Sequence, residues 1–244
     1  MNKTAVVTGA DRGLGLGMTK RLLEQGWNVF AGSYMADWPE LQQLAQLEPE
    51  RLRLISLDVS SDKSVQEAGR MISDQAGQVD LLINNAGIST RQFSSIHELQ
   101  DDEEVLRVFN VNAVGPMRMV QALQPLMERS EWKRLCFVSS EAGSLARSHR
   151  DNWYGYCMSK TALNRGVQCL FDELRPMGYT FRLYHPGWVR SYMSGQLSTE
   201  GELDANDAAR MAVSYFLRNR YQDQETSEED RLVMRDWLGR EWPW

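Results

Sequence analysis

Six short apolar runs, at residues 5–8, 27–32, 52–57, 81–84, 134–139 and 180–185, are each closed off by turn-forming residues. Runs of that length without polar alternation are the pattern of strands buried on both faces. Between them lie longer stretches, 15–24, 64–75, 103–127 and 154–173, in which apolar positions recur at helical spacing. Each is long enough to cross over a sheet, so the alternation predicts parallel strands joined by right-handed helical crossovers. The expected architecture is a three-layer α/β/α Rossmann fold with a predominantly parallel, doubly wound sheet, in one domain over residues 1–244.

Past the sixth run the pattern changes. Residues 191–203 are polar, contain glycine and show no period, and residues 204–207 then offer a cap for a helix through 219. Residues 191–218 therefore read as a substrate loop and lid. Residues 223–231 carry many charges and read as solvated surface, and residues 237–244 hold three tryptophans.

The 244 residues carry 27 lysines plus arginines against 33 aspartates plus glutamates, a net charge of −6, with 42% hydrophobic positions. That acidity argues against a nucleic-acid partner, because binding phosphate backbones takes clustered cations. Cys136, Cys157 and Cys169 form no Cys-x-x-Cys and suit reduced thiols. His97, His149 and His185 lack metal-ligand spacing, so no metal is expected. The first apolar run is too brief for a signal peptide, and no stretch approaches the ~20 apolar residues of a membrane span. A cytoplasmic location without a membrane partner is the expectation.

Directly after the first run stands Thr8-Gly9-Ala10-Asp11-Arg12-Gly13-Leu14-Gly15, and a helix follows. A dinucleotide's pyrophosphate sits at such a turn, against the unpaired N–H groups of the helix start. Gly9 can make the tight turn, Gly13 lets the backbone approach the phosphates, and Gly15 lets the helix pack on the strand. The spacing is TGxxxGxG and not GxGxxG, since position 18 is Met18.

Three further motifs follow in order: Asn84-Asn85-Ala86-Gly87, Tyr156-Cys157-Met158-Ser159-Lys160 and Pro186-Gly187-Trp188-Val189. With the glycine turn they resemble the short-chain dehydrogenase/reductase family over essentially the whole chain. Asp80-Leu81-Leu82-Ile83 before the first of them, and the closing Gly239-Arg240-Glu241-Trp242-Pro243-Trp244, are similar to single-domain carbonyl reductases of the C-factor and sniffer type. The resemblance implies reversible hydride transfer between a nicotinamide dinucleotide and a small carbonyl compound or secondary alcohol. It also implies a homodimer or homotetramer built on the helices at 103–127 and 154–173.

Tyr156 and Lys160 are four residues apart on one helix face. An ammonium within ~4–6 Å favours the phenolate, lowering a phenol whose ordinary pKa is near ~10. By resemblance Tyr156 is the general acid/base and Lys160 also holds the nicotinamide ribose. Ser140, in Val138-Ser139-Ser140-Glu141-Ala142-Gly143, hydrogen-bonds the substrate oxygen, and Ser139 is left as a strand-end cap. Asn112, in Asn110-Val111-Asn112-Ala113-Val114-Gly115, holds a proton-relaying water, with Asn110 as its rival. The sixteen positions from Ser140 to Tyr156 exceed the family's usual spacing, which points to an insertion within 147–153.

The resemblance places the cofactor on Gly9, Asp11, Arg12, Gly13, Leu14 and Gly15, on Asn85, Ala86 and Gly87, and on Tyr156 and Lys160. Asp58 and Val59 would meet the adenine, a helix N-cap being the other role open to Asp58. Pro186, Gly187, Val189 and Ser191 would meet the carboxamide end. Where NAD-preferring members carry an acid after the second strand, this chain has Ser33 and Tyr34, and Arg12 can meet a 2′-phosphate. NADP(H) is therefore favoured over NAD(H), with Asp37 near enough to reverse the preference. Arg91, His149, Arg150, Trp153, Tyr192 and Met193 are candidate pocket walls, and Tyr192 departs from the acid that related reductases carry there. A dinucleotide-sensing regulator with little turnover is the alternative reading. A nucleotide-sugar epimerase or dehydratase wants a larger substrate domain than the 55 residues after Val189.

Overall fold

The computed structural model describes residues 3–35, 38–90, 95–97, 101–193, 198–218 and 230–244. Eight strands form one sheet: β1 (Thr4–Thr8), β2 (Asn28–Ser33), β3 (Leu52–Ser56), β4 (Leu81–Asn84), β5 (Arg134–Val138), β6 (Thr180–His185), β7 (Met234–Asp236) and β8 (Glu241–Trp242). Their order is β3-β2-β1-β4-β5-β6-β7-β8. All neighbours are parallel except β7 and β8, which pair antiparallel at the edge. Strand order reverses between β1 and β4, and in such sheets the crevice at the carboxyl ends of those strands takes the ligand.

Helices cover both faces. α3 (Asp62–Gln75), α5 (Gly115–Met127) and α6 (Tyr154–Leu174) pack on one, α1 (Gly13–Glu24), α2 (Pro39–Leu47) and α7 (Ala205–Phe216) on the other. β1 shows why the runs are uninterrupted: Val6 enters the first core while Ala5 and Val7 enter the second, so successive residues are all apolar. Gly17 of α1 lies so close to α7 that a Cβ there would stand 2.7 Å from the Ala209 Cβ. The three-layer, mostly parallel Rossmann arrangement is the expected one.

The helix starts follow local chemistry. Ser61 caps α3 by accepting from the Ser64 N–H at 3.3 Å, and Asp204 caps α7 through Asn206 at 2.8 Å. Asp58 is therefore not the cap of α3. Its carboxylate instead accepts from the Ser60 N–H (2.9 Å) and hydroxyl (2.6 Å), closing an Asx turn three residues upstream. α7 ends at Phe216, and Asn219 lies outside the described residues, as do Asp37 and Arg91.

The stretch 103–127 is not one helix. It divides into α4 (Asp102–Phe109), a π-helical turn (Asn110–Val114) and α5. Two tethers accompany the wide turn: Asn110 donates to the Ser60 carbonyl at 3.1 Å, and Gly115 packs so tightly on Val59 that a Cβ would meet its Cγ2 at 2.9 Å. Regular winding would break this register, and the sequence carries no periodic mark of it. α2, β7 and β8 were likewise outside the predicted elements, since α2 buries only Leu41 and the two strands have three and two residues.

Candidate active site

The glycine turn lies at the carboxyl end of β1. Gly9 and Gly13 have φ of +61° and +55°, in the left-handed region that favours glycine. At Gly15 a Cβ would lie 2.0 Å from the Gly9 carbonyl oxygen, so a side chain there would force the turn apart. At Gly13 the nearest heavy atom to a built Cβ is Ser191 Cβ at 3.9 Å, which leaves open space over the turn and sets Ser191 beside it. Arg12 occupies the N-cap of α1 without a side-chain capping bond, and no acid stands in the first turn. The first N–H groups are thus available to an anion, and a pyrophosphate fits this cradle.

The loops around the turn place the other proposed cofactor residues. Asn85 donates through its amide to the carbonyls of Thr8 (2.9 Å) and Gly9 (3.1 Å), while the N–H groups of Asn85 and Ala86 both donate to Thr8 Oγ1 at 3.0 Å. Asp11 is buried and accepts from the Tyr34 N–H at 3.4 Å, and Ser33 donates to the Met35 carbonyl at 2.8 Å. The Arg12 guanidinium stacks over Trp38 (4.9 Å) and Tyr192 (5.6 Å), and these two rings meet edge to face. Tyr192 thus lies on the Arg12 side of the crevice, and Trp38 joins it there unannounced by any sequence motif. Gly187, at φ +78°, and Val189, bridged to Leu203, carry the chain from β6 toward Ser191.

Ser140, Tyr156, Lys160 and Asn112 converge past the ends of β4 and β5. Ser140 Oγ accepts the Ala142 N–H at 3.2 Å, and its hydroxyl lies near enough to the Tyr156 phenol to favour the ionised form. Lys160 Nζ donates to the Val138 carbonyl at 3.0 Å and stands 5.8 Å from the Tyr156 ring centre. Asn112 is fully buried; its Oδ1 accepts from the Ile88 N–H (2.9 Å), and its Nδ2 donates to the Ile88 carbonyl (2.8 Å) and Ser159 Oγ (3.0 Å). A Cβ on Gly87 would lie 3.4 Å from Asn112 Oδ1 and 3.6 Å from Lys160 Nζ, so the three share one small volume. Asn110 points elsewhere, between Ser60 and Arg118, and Ser139 donates to Asn164 Oδ1 at 2.6 Å.

The electrostatics correct one expectation. Burial pushes the Tyr156 phenol up to about 12, against the hydrogen bond from Ser140, where pairing with Lys160 predicted a lowered value. Burial also brings Lys160 down to about 8, so desolvation outweighs mutual stabilisation at this separation. Among the described residues no group of three or more His, Cys, Asp or Glu side chains is placed to hold a metal, and no helix is long and apolar enough to cross a membrane.

The segment 147–153 folds over Tyr156. Trp153 lies flat on the tyrosine, ring centres 4.2 Å apart and planes inclined by 18°, and its Nε1 donates to Ser89 Oγ at 2.9 Å. Arg150 packs over the indole at 5.0 Å and pairs with Glu141, its Nε donating to Oε1 at 2.8 Å. His149 is exposed, and Met193 is 41% exposed. Sequence reasoning reached Trp153 and Arg150 as pocket walls and missed Glu141, whose partner is nine residues away in no local motif.

The short chain dehydrogenase family profile matches residues 3–202, and the chain belongs to that family of oxidoreductases. C-signal of Myxococcus xanthus is 40% identical over 134 residues, spanning 55% of this chain and 78% of that protein. The NADPH-bound carbonyl reductase from chicken fatty liver superposes with a TM-score of 0.85 at 26% identity, covering 100% of this chain and 99% of that one. Carbonyl reductase Sniffer of D. melanogaster gives the same TM-score at 23% identity over 100% of both chains, a likeness of fold.

Proposed function

We propose that this protein is an NADPH-dependent reductase of small carbonyl compounds. The observation that carries the reading is the meeting of Ser140, Tyr156 and Lys160 beside the glycine cradle, with Arg12 at its rim. The turn from Gly9 to Gly15, including Asp11 and Leu14, would hold the pyrophosphate, and Arg12 a 2′-phosphate in the space between the turn and Ser33-Tyr34. Asp58 and Val59 would bound the adenine, Ala86 and Gly87 the nicotinamide ribose with Lys160, and Pro186, Gly187, Val189 and Ser191 the carboxamide. When bound, the reduced nicotinamide supplies the hydride. The likeness to an NADPH-bound carbonyl reductase supports this cofactor preference.

Ser140 and Tyr156 would both hydrogen-bond the substrate oxygen, and Tyr156 would deliver its proton there as charge develops. A phenol held near 12 keeps its proton at neutral pH and is competent to give it to the developing alkoxide. Asn112, fixed by Ile88 and Ser159, would keep the path beside Lys160 Nζ in place for proton resupply. Self-association belongs to the same reading and would use the outer faces of α4 and α6, where Leu106 and Met158 are exposed.

The test is a fluorescence titration of the purified protein with NADPH and with NADH, followed by nicotinamide consumption with a panel of aldehydes, ketones and diketones. Tighter NADPH binding with turnover is the expected result. Tight binding without turnover across the panel would turn the assignment to a dinucleotide sensor, and binding of neither cofactor would overturn it.

A further inference from the structure

Around Tyr156 the contacts close into a ring that includes two residues, Glu141 and Arg150, with no part in the proton transfer proposed above. The Ser140 hydroxyl lies beside the Tyr156 phenol, Tyr156 carries Trp153 on its ring face, and the Arg150 guanidinium packs over the Trp153 indole at 5.0 Å. Arg150 is clamped to Glu141, and Glu141 is the covalent neighbour of Ser140. The carboxylate gathers the segment further, accepting from Ser148 Oγ at 3.3 Å. Trp153 holds a left-handed backbone, φ +67° and ψ +36°, that a bulky side chain adopts only where its surroundings over-determine it.

We propose that Glu141 and Arg150 are positioning residues for Tyr156: the ion pair holds Trp153 on the tyrosine ring and so fixes the mutual placement of the Ser140 and Tyr156 hydroxyls. The proposal rests on reading Tyr156 as the proton donor. A guanidinium suits the place because its planar face stacks on the indole while its edge binds the carboxylate, a combination an ammonium cannot reproduce. The two partners act on the phenol with opposite charges. Glu141, from the turn after β5, and Cys157, from α6, raise the phenol; Arg150, from the 147–153 segment, lowers it; Lys160 faces it from one turn further along α6.

The arrangement is tested on protein labelled with 13Cζ-tyrosine, the Tyr156 resonance being assigned by its loss in Tyr156→Phe. The Tyr156 titration should begin at lower pH in Glu141→Gln and at higher pH in Arg150→Met than in the parent. Arg150→Lys keeps the charge and should leave the titration near that of the parent. It loses the planar stack, so the Trp153 indole N–H should exchange several-fold faster, as in Arg150→Met. With a diketone that the parent reduces, Arg150→Met should lower kcat about tenfold with KM within twofold. Shifts in the same direction in the two neutralised variants, no shift in either, or Arg150→Lys exchange matching the parent would overturn the positioning role. Turnover surviving in Tyr156→Phe would instead overturn the assignment of Tyr156 as proton donor, while the titrations still decide the ring.

Discussion

The side-chain amide of Asn85 donates to two successive carbonyls, those of Thr8 and Gly9, while the Thr8 hydroxyl receives the Asn85 N–H in return. The end of β4 thereby holds the turn that leaves β1. Asn85→Asp would replace a two-proton donor with a carboxylate facing two carbonyl oxygens, at a cost of about 2 kcal/mol or more. A lowered urea midpoint together with weakened dinucleotide binding is expected, and a variant as stable as the parent would refute the tether.

Gly13 and Gly15 should respond differently to the same methyl group. Gly13→Ala meets open space and bears a left-handed backbone cost of about 1 kcal/mol, so Tm should fall by roughly 2–4 °C. The methyl would nevertheless stand in the phosphate cradle, and cofactor Kd should rise about tenfold or more. Gly15→Ala drives a methyl into the Gly9 carbonyl and should lose several times as much stability. Calorimetry with fluorescence titration separates the two.

Arg12 should discriminate between the cofactors. A charge-assisted bond to a 2′-phosphate is worth about 1.5–3 kcal/mol, so Arg12→Ala should weaken NADPH binding roughly 10- to 100-fold and leave NADH nearly unchanged. Trp38, stacked on the guanidinium, is a built-in reporter, and its emission should change as NADPH binds to the parent. Equal losses for both cofactors would place the arginine's role in folding the turn.

His185 gives the fold an acid sensitivity. It is buried between Trp237 and Trp242, and burial lowers it to about 4 from an ordinary 6.5. Between those values the unfolded chain binds the proton and the folded chain does not, so stability falls as pH drops through that window. Above 6.5 both states are neutral there and the contribution is level; complete protonation would cost roughly 3 kcal/mol. His185→Phe keeps an aromatic ring between the tryptophans and should flatten the pH dependence of Tm between 6.5 and 4 relative to the parent.

β1, β2, β4, β5 and β6 were legible because they lie inside the sheet and are buried on both faces, as the Val6 and Val7 alternation shows; β3, at the edge, was legible from Leu52, Leu54 and Ile55 although Arg53 and Ser56 are exposed. The cradle was legible because Gly9 and Gly15 answer to backbone geometry that tolerates no side chain. α2 was not, since a helix that buries Leu41 alone leaves no apolar stripe. Nor was the direction of the Tyr156 shift: spacing fixes which helix face two residues share, whereas desolvation depends on Trp153 and on loops far along the chain. Glu141 and Arg150 meet only because 147–153 folds back, a contact that no periodicity encodes.

The wide turn at Asn110–Val114 has a consequence for how this chain tolerates change. One extra residue is taken up in place, so α4 presents the same side to α6, and α5 the same side to the sheet, as an uninterrupted helix one residue shorter would. Removing a single residue there would leave Val108 and Met119 seated in the interior while turning the Asn112 amide away from Ile88. Architecture and chemistry are separable at that point: the chain could lose a link, keep its shape and forget its task.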